Sequence, residues 1–143
     1  MPGDTSARMV SRERLAMIFL YNYRSMWTAF EKESPTSDNR RYFGVYFMII
    51  DKALRELEQS PPERYKRQRC PADLDGRMFK VYRDILYYEF IDPKTRTTEE
   101  IMEILKLTVA KSTYIHYRAV AIDVFSDIVR KHYIEYSNAL RKE

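Results

Sequence analysis

The chain has 143 residues, 45% hydrophobic and 32% charged, which suits one compact domain or a helical body with a small appended module. Its net charge of +4 is a mild bias toward polyanionic partners such as nucleic acid. With one cysteine, two histidines and three glycines, the chain lacks the residues for a disulfide framework, a cysteine-rich zinc site or a glycine-rich phosphate loop, and we predict neither a metal nor a cofactor.

The first residues, 1–10, are predicted to form a flexible arm, because termini without a clear apolar pattern are rarely tied down. No secretion signal is evident in this segment. No apolar run anywhere in the chain approaches the roughly 18 residues of a membrane-spanning helix. We therefore expect a cytoplasmic protein with no membrane partner.

Residues 11–60 predict a pair of helices. Ser11 is a plausible N-cap, and an apolar pattern at helical spacing then runs from Leu15 to Phe30. The segment from Ser34 to Asn39 consists of residues that favour turns and separates the two helices. The second helix has an apolar stripe at i, i+3, i+4, i+7 spacing, which we expect to be buried. The stripe consists of Tyr42, Val45, Tyr46, Ile49, Ile50, Ala53, Leu54 and Leu57.

Residues 61–76 predict a basic linker loop. Pro61 and Pro62 end the preceding helix, because proline lacks the backbone donor and clashes with the turn before it. A solvated linker, a phosphate contact and a hinge between the two halves are all open interpretations of the charge that follows. Cys70 is read as an incidental thiol, since no histidine lies near it in sequence. The basic residues are Arg64, Lys66, Arg67 and Arg69.

Residues 77–143 predict a helix-turn-helix module. A third helix from about Asp75 to Ile91 ends in aromatic residues and would support it. Thr97 or Thr98 can cap the first helix of the pair, and the carboxylates of the next two residues suit its positive end. The all-α class with a helical body and a C-terminal helix-turn-helix follows from these patterns.

The second helix of the pair opens near Lys111, with Ser112 either as its cap or within its first turn. We expect Ile115, Ala119 and Ile122 to be buried, which leaves other side chains of this helix facing outward. Residues at the start of such a helix reach base edges, and flanking basic residues contact phosphates. The outward set predicted for base and sugar contacts is Thr113, Tyr114, Tyr117 and Arg118, with Ser112 and His116 as further DNA-binding residues. The phosphate contacts are predicted at Lys94, Arg96, Lys106 and Lys111.

An enzyme is not expected. Glu99 and Glu100 are adjacent carboxylates at a helix start, where they serve the helix dipole. Asp123 and Asp127 share a helix face with no histidine partner. Without a nucleophile–base pair or a cluster of metal ligands, no catalytic residue is assigned.

The region from Tyr42 to Val129 resembles phage late-transcription regulators of the ArpU and RinA type. In its upstream half the family has an I-D-x-A-L-x-x-L stretch, and its C-terminal half resembles the promoter-reading helix-turn-helix of bacterial sigma factors. The upstream match is Ile50, Asp51, Ala53, Leu54 and Leu57, and the downstream match is Thr98, Glu100, Ile101, Leu105, Leu107, Thr108, Ser112, Thr113, Tyr114, Arg118 and Ala121.

This resemblance implies a sequence-specific DNA-binding regulator that activates phage late genes in a bacterial host cell. Double-stranded DNA would be its main partner, and the N-terminal helices would carry dimerisation or contact host RNA polymerase. A homodimer would fit a repeated or palindromic site. The alternative is a small helical interaction module that binds and redirects a host protein, such as RNA polymerase or a repressor, without binding DNA.

Overall fold

The computed structural model describes residues 12–34, 36–59 and 76–142 of the chain. Every regular element in these ranges is helical, which confirms the predicted all-α class. No helix within the described ranges is both long and apolar enough to cross a lipid bilayer.

Three sequence predictions fall outside the described residues. They are the flexible arm at 1–10, the cap at Ser11, and nearly all of the basic linker at 61–76, which includes Cys70. The described chain resumes at Gly76, where the third predicted helix begins close to its expected start.

Six α-helices follow one another within the described ranges. The fourth of them continues directly into one turn of π-helix at Tyr87–Ile91, which carries the aromatic residues expected at its end. The helices are α1 (Arg12–Tyr21), α2 (Tyr23–Lys32), α3 (Asp38–Gln59), α4 (Gly76–Leu86), α5 (Thr98–Ile104) and α6 (Lys111–Lys142).

The first predicted helix is interrupted at Asn22, which separates α1 from α2. The Asn22 side-chain amide donates a hydrogen bond of 2.8 Å to the carbonyl of Ile18, one turn earlier. Asparagine side chains compete in this way with the backbone bonds that continue a helix. The apolar pattern runs through the interruption without a break, so periodicity alone gives no sign of it.

The helix α3 is close to its prediction. Its apolar stripe is buried from Tyr46 to Leu57, whereas Tyr42, at the start of the stripe, is exposed. The Tyr46 ring stacks on Phe19 of α1 at 4.7 Å and 7°, and its hydroxyl group donates to the Phe19 carbonyl. This contact fixes α1 across the N-terminal half of α3.

The helix α6 supplies the middle of the hydrophobic core. It has 32 residues and is therefore about 48 Å long. Its section from Ala121 to Val129 is buried against α1, α3 and α4, and even the hydroxyl of Ser126 is enclosed, donating 2.6 Å to the Ile122 carbonyl. The N-terminal helices and the C-terminal helix therefore share one core. In the first two turns of α6, Tyr117 is the one hydrophobic residue that packs against this shared core.

Candidate nucleic-acid interface

A second, smaller core joins α4, α5 and the start of α6. At its centre are Ile85, Ile101 and Tyr114, one from each helix, and none of the three is more than 1% exposed. Partly buried apolar side chains surround it: Val81, Tyr88, Met102, Leu105, Leu107 and Tyr117. The three helices therefore share one small core, with α5 and the start of α6 both packed on α4.

The start of α5 is fixed by a capping box, whose cap is one of the two threonines that the sequence predicts. Thr97 Oγ1 accepts a hydrogen bond of 3.2 Å from the Glu100 amide, and Glu100 Oε1 accepts one of 3.2 Å from the Thr97 amide. Two backbone donors that the first turn leaves unpaired are thereby satisfied. Thr97, rather than Thr98, is the cap.

The end of α5 is a Schellman motif with lysine in the place usually taken by glycine. The Leu107 amide donates to the Met102 carbonyl at 2.9 Å, and the Lys106 amide donates to the Glu103 carbonyl at 3.1 Å. Lys106 has φ of 57°, in the left-handed region, which costs a non-glycine residue roughly 1–2 kcal/mol. The motif also packs Leu107 and Met102 into the smaller core, which favours the sharp turn.

The helix α6 begins at Lys111, after a connection formed by residues 105–110. The amides of Thr113 and Tyr114 both donate to the Ala110 carbonyl, at 3.0 and 3.1 Å, so Ser112 lies within the first turn and is not the cap. Lys111 Nζ donates 2.9 Å to Glu99 of α5, and this bond lowers the pKa of the Glu99 carboxyl group. This ion pair links α5 to the start of α6, and both of its groups are exposed.

The predicted orientation of this helix is wrong at three positions. Tyr114, expected to face outward, is 1% exposed, whereas Ile115 is 56% exposed and Ala119 is also exposed. Positions 114, 121 and 128 are spaced by seven and are all buried, so Tyr114 lies on a buried side of α6 that continues into its core section. Tyr114 is therefore a core residue and not a DNA contact.

The corrected orientation exposes a stripe along the first two turns of α6. Ser112, Ile115, His116 and Ala119 follow i, i+3, i+4, i+7 spacing and all are exposed. These four residues are called the α6 face below. Sequence reasoning missed Ile115 and Ala119 because apolar side chains in a helix were assigned to the core. Counting back seven residues from the buried Ile122 and Ser126 gives the same wrong assignment, so spacing alone does not identify them.

Arg118, predicted to reach a base, is held within the protein. Its Nε donates 2.7 Å to Glu89 in the π turn, and an Nη2 group lies 3.4 Å from the Tyr21 hydroxyl. Burial alone would lower the pKa of Arg118, but these hydrogen bonds outweigh it and raise the pKa. The other Glu89 oxygen accepts 2.7 Å from the Tyr114 hydroxyl, whose pKa is raised by burial and by this bond. Glu89 therefore ties α6 to the end of α4.

The remaining predicted contacts divide by exposure. Lys94 and Lys106 are exposed, and both precede the α6 face in sequence. Arg96 is half-buried, forms an ion pair with Asp92 and lies over the Tyr88 ring at 5.1 Å. These contacts hold Arg96 against the protein, which leaves Lys94, Lys106 and Lys111 as the exposed cations of the predicted phosphate set.

Two further predicted contacts are half-buried on the inner side of α6. Tyr117 packs against both cores and meets Tyr82 edge-on at 6.3 Å. Thr113 is half-buried in the first turn. Both side chains therefore serve mainly in packing α6 against the protein and are less available for contact with DNA.

We expect the Glu89–Arg118 pair to contribute measurably to stability. Replacing Glu89 with alanine leaves the Arg118 guanidinium group partly buried without its carboxylate. Since water still reaches both side chains, we expect a loss of about 2 kcal/mol in the free energy of unfolding, below the 3–5 kcal/mol of fully enclosed pairs. A denaturant double-mutant cycle with Arg118→Ala measures the coupling.

The same variants separate a structural role of Arg118 from base recognition. If Arg118 only positions α6, Glu89→Ala and Arg118→Ala should change DNA affinity by similar factors under conditions where both are folded. A loss above tenfold in Arg118→Ala that Glu89→Ala does not share would instead make Arg118 a direct DNA contact.

No protein-family model matches the chain, and no curated protein or solved structure matches it either. Among the described residues, no group of three or more histidine, cysteine or acidic side chains is placed to hold a metal ion. The α6 face and its neighbouring lysines are the candidate functional residues. The resemblance to phage regulators stays a prediction.

Proposed function

We propose that this protein binds double-stranded DNA through the α6 face and acts as a transcription regulator. The observation that carries the proposal is the stripe of four exposed residues on the first two turns of α6, outside the shared core and supported by the smaller core. A helix presented in this way can enter the major groove, which is wide enough to admit it.

The chemistry of the α6 face suits base edges. The exposed Ile115 and Ala119 side chains can make apolar contact with thymine methyl groups. Ser112 and His116 can exchange hydrogen bonds with base edges or phosphates. Because the α6 face is part apolar and part polar, it would favour DNA sites that place thymine against Ile115 and Ala119.

The exposed lysines would supply the phosphate contacts. Lys106 and Lys111 flank the turn, and Lys94 precedes α5. Lys111 is paired with Glu99, but an exposed ion pair is worth only about 0–1 kcal/mol, so exchange for a phosphate costs little. Of the other two carboxylates of α5, Glu100 is engaged in the capping box and Glu103 is exposed.

The activation of phage late genes is proposed on the resemblance. The residues of its downstream pattern now divide into core positions such as Ile101 and Tyr114 and exposed ones such as Ser112. In this proposal the core positions of the pattern stabilise the helix pair, and the exposed positions contact promoter DNA. A homodimer on a palindromic site remains part of the same proposal.

The test is fluorescence-anisotropy binding to duplex DNA at about 50 and 200 mM salt. Three phosphate contacts predict a slope of log K against log salt near −2.7, so affinity should fall roughly 40-fold over this interval. Lys106→Gln and Lys111→Gln should each make the slope less steep by about one unit. Absence of binding at the lower salt concentration would contradict the proposal.

A second candidate is an interaction module for a host protein such as RNA polymerase. Large apolar side chains are exposed on the N-terminal helices, among them Ile18, Tyr42 and Met48. Exposed apolar side chains of this size can anchor a partner when they form a continuous patch. Binding of purified polymerase by a chain that shows no affinity for DNA would favour this candidate.

A further inference from the structure

A cleft of about 460 Å³ opens between α2 and the π turn, away from the α6 face. Its walls include three aromatic side chains, Tyr23, Trp27 and Tyr87, and two charged ones, Arg24 and Glu31. The volume is within the range of small-molecule sites in proteins. Nothing in the proposed DNA contact uses this cleft.

The aromatic wall is rigid and presents ring faces. Tyr23 and Trp27 are nearly parallel, at 8°, with 6.4 Å between ring centroids. Trp27 is held from behind by Phe30 at 5.5 Å and by the edge contact with Phe47 at 5.0 Å, yet it is 42% exposed. An exposed tryptophan fixed by its neighbours loses little conformational entropy when a ligand packs on it.

Cations already lie over several aromatic rings of this protein. Guanidinium groups lie over Phe30 at 4.1 Å, Tyr88 at 5.1 Å and Phe90 at 5.4 Å, and Arg83 lies over the cleft residue Tyr87 at 5.7 Å. Among the described residues, no lysine or arginine lies over the other two rings of the cleft, Trp27 and Tyr23. Tryptophan has the ring face most attractive to a cation. Trp27 is therefore the ring of the cleft best suited to a cation that the protein does not itself supply.

The charges in the cleft favour a positive ligand. The Arg24 guanidinium group is engaged by two backbone carbonyls at the end of the π turn, that of Asp92 at 2.7 Å and that of Tyr88 at 3.3 Å. Glu31 is exposed, and no cationic side chain among the described residues forms an ion pair with it. The Arg24 guanidinium group donates to these backbone carbonyls, so the exposed Glu31 carboxylate is the charged group of the lining left to meet a ligand.

We propose that this cleft binds a small organic cation of the quaternary alkylammonium class. The cation would pack on the faces of Trp27 and Tyr23, where its methyl groups replace water on apolar surface, with Glu31 as the counter-charge. A quaternary nitrogen has no N–H to donate, so its recognition needs only the ring faces and the counter-charge.

The experiment uses Trp27 as its own reporter, because it is the only tryptophan in the chain. Intrinsic fluorescence is titrated with choline and, as a matched uncharged control, with 3,3-dimethyl-1-butanol, at constant ionic strength set by sodium chloride. We expect a saturable change with choline and at least tenfold weaker binding of the alcohol. Equal responses to both, or a choline response no larger than that of sodium chloride, would overturn the proposal.

Two further arms fix the class of cation and the role of Glu31. The Glu31→Gln variant alters an exposed side chain and should weaken choline binding roughly three- to tenfold while leaving the thermal unfolding midpoint unchanged. N-acetyl-arginine amide, which stands for an arginine of a protein partner, should bind less tightly than choline. Tighter binding of the amide, or full choline affinity in Glu31→Gln, would overturn the assignment.

Discussion

Replacing Tyr114 with alanine is expected to lower the free energy of unfolding by about 3–5 kcal/mol, the cost of removing a large aromatic side chain from a packed interior. Tyr114 is at the centre of the smaller core, between Ile85 and Ile101, and is 1% exposed. Since a domain is stabilised by only about 5–15 kcal/mol, this loss is a large share of the total. Chemical denaturation followed by circular dichroism measures it.

Two companion variants distinguish this role from a DNA contact. Tyr114→Phe keeps the ring and removes the hydroxyl that donates to Glu89, so it should cost only about 1 kcal/mol. His116→Ala changes an exposed neighbour and should stay within about 0.5 kcal/mol of wild type. A Tyr114→Ala protein as stable as His116→Ala would show that the ring is not the centre of a core.

The elements best predicted from the sequence are those in which local signals agree with burial. The stripe of α3 from Tyr46 to Leu57 is long and regular, so its buried face is determined by spacing alone. The Thr97–Glu100 capping box likewise acts within one turn and is visible in the sequence. Neither prediction depends on knowing what packs against the helix.

The predictions that failed depend on contacts between distant residues. The first turns of α6 bury Tyr114 in the smaller core and leave Ile115 and Ala119 exposed, and a short window around Ile115 contains too few residues to reveal which side is buried. Arg118 appeared available because Glu89 and Tyr21 lie far from it in sequence, and only the fold brings them within hydrogen-bond distance. A basic residue in an amphipathic helix can therefore be assigned as a ligand contact only once the carboxylates that lie near it in the fold are known.

The largest functional effect is expected from Ile115→Glu. Ile115 is 56% exposed at the middle of the α6 face, so the substitution should leave the free energy of unfolding within about 0.5 kcal/mol of wild type. In the proposed complex it replaces an apolar contact with thymine methyl groups by a carboxylate in the major groove, where the negative charge of DNA disfavours it. We expect DNA affinity to fall roughly 30-fold or more, about 2 kcal/mol.

The matched control is Ile134→Glu, which makes the same change at a similarly exposed position on the same helix. Ile134 lies about 28 Å further along α6, at 1.5 Å per residue. A carboxylate at that position is too far away to touch DNA bound at the first turns of the helix. Both variants have the same net charge, so a general electrostatic effect on DNA affinity should lower binding equally in the two. A loss confined to Ile115→Glu therefore locates the contact at the α6 face, whereas equal losses would remove that face from the interface.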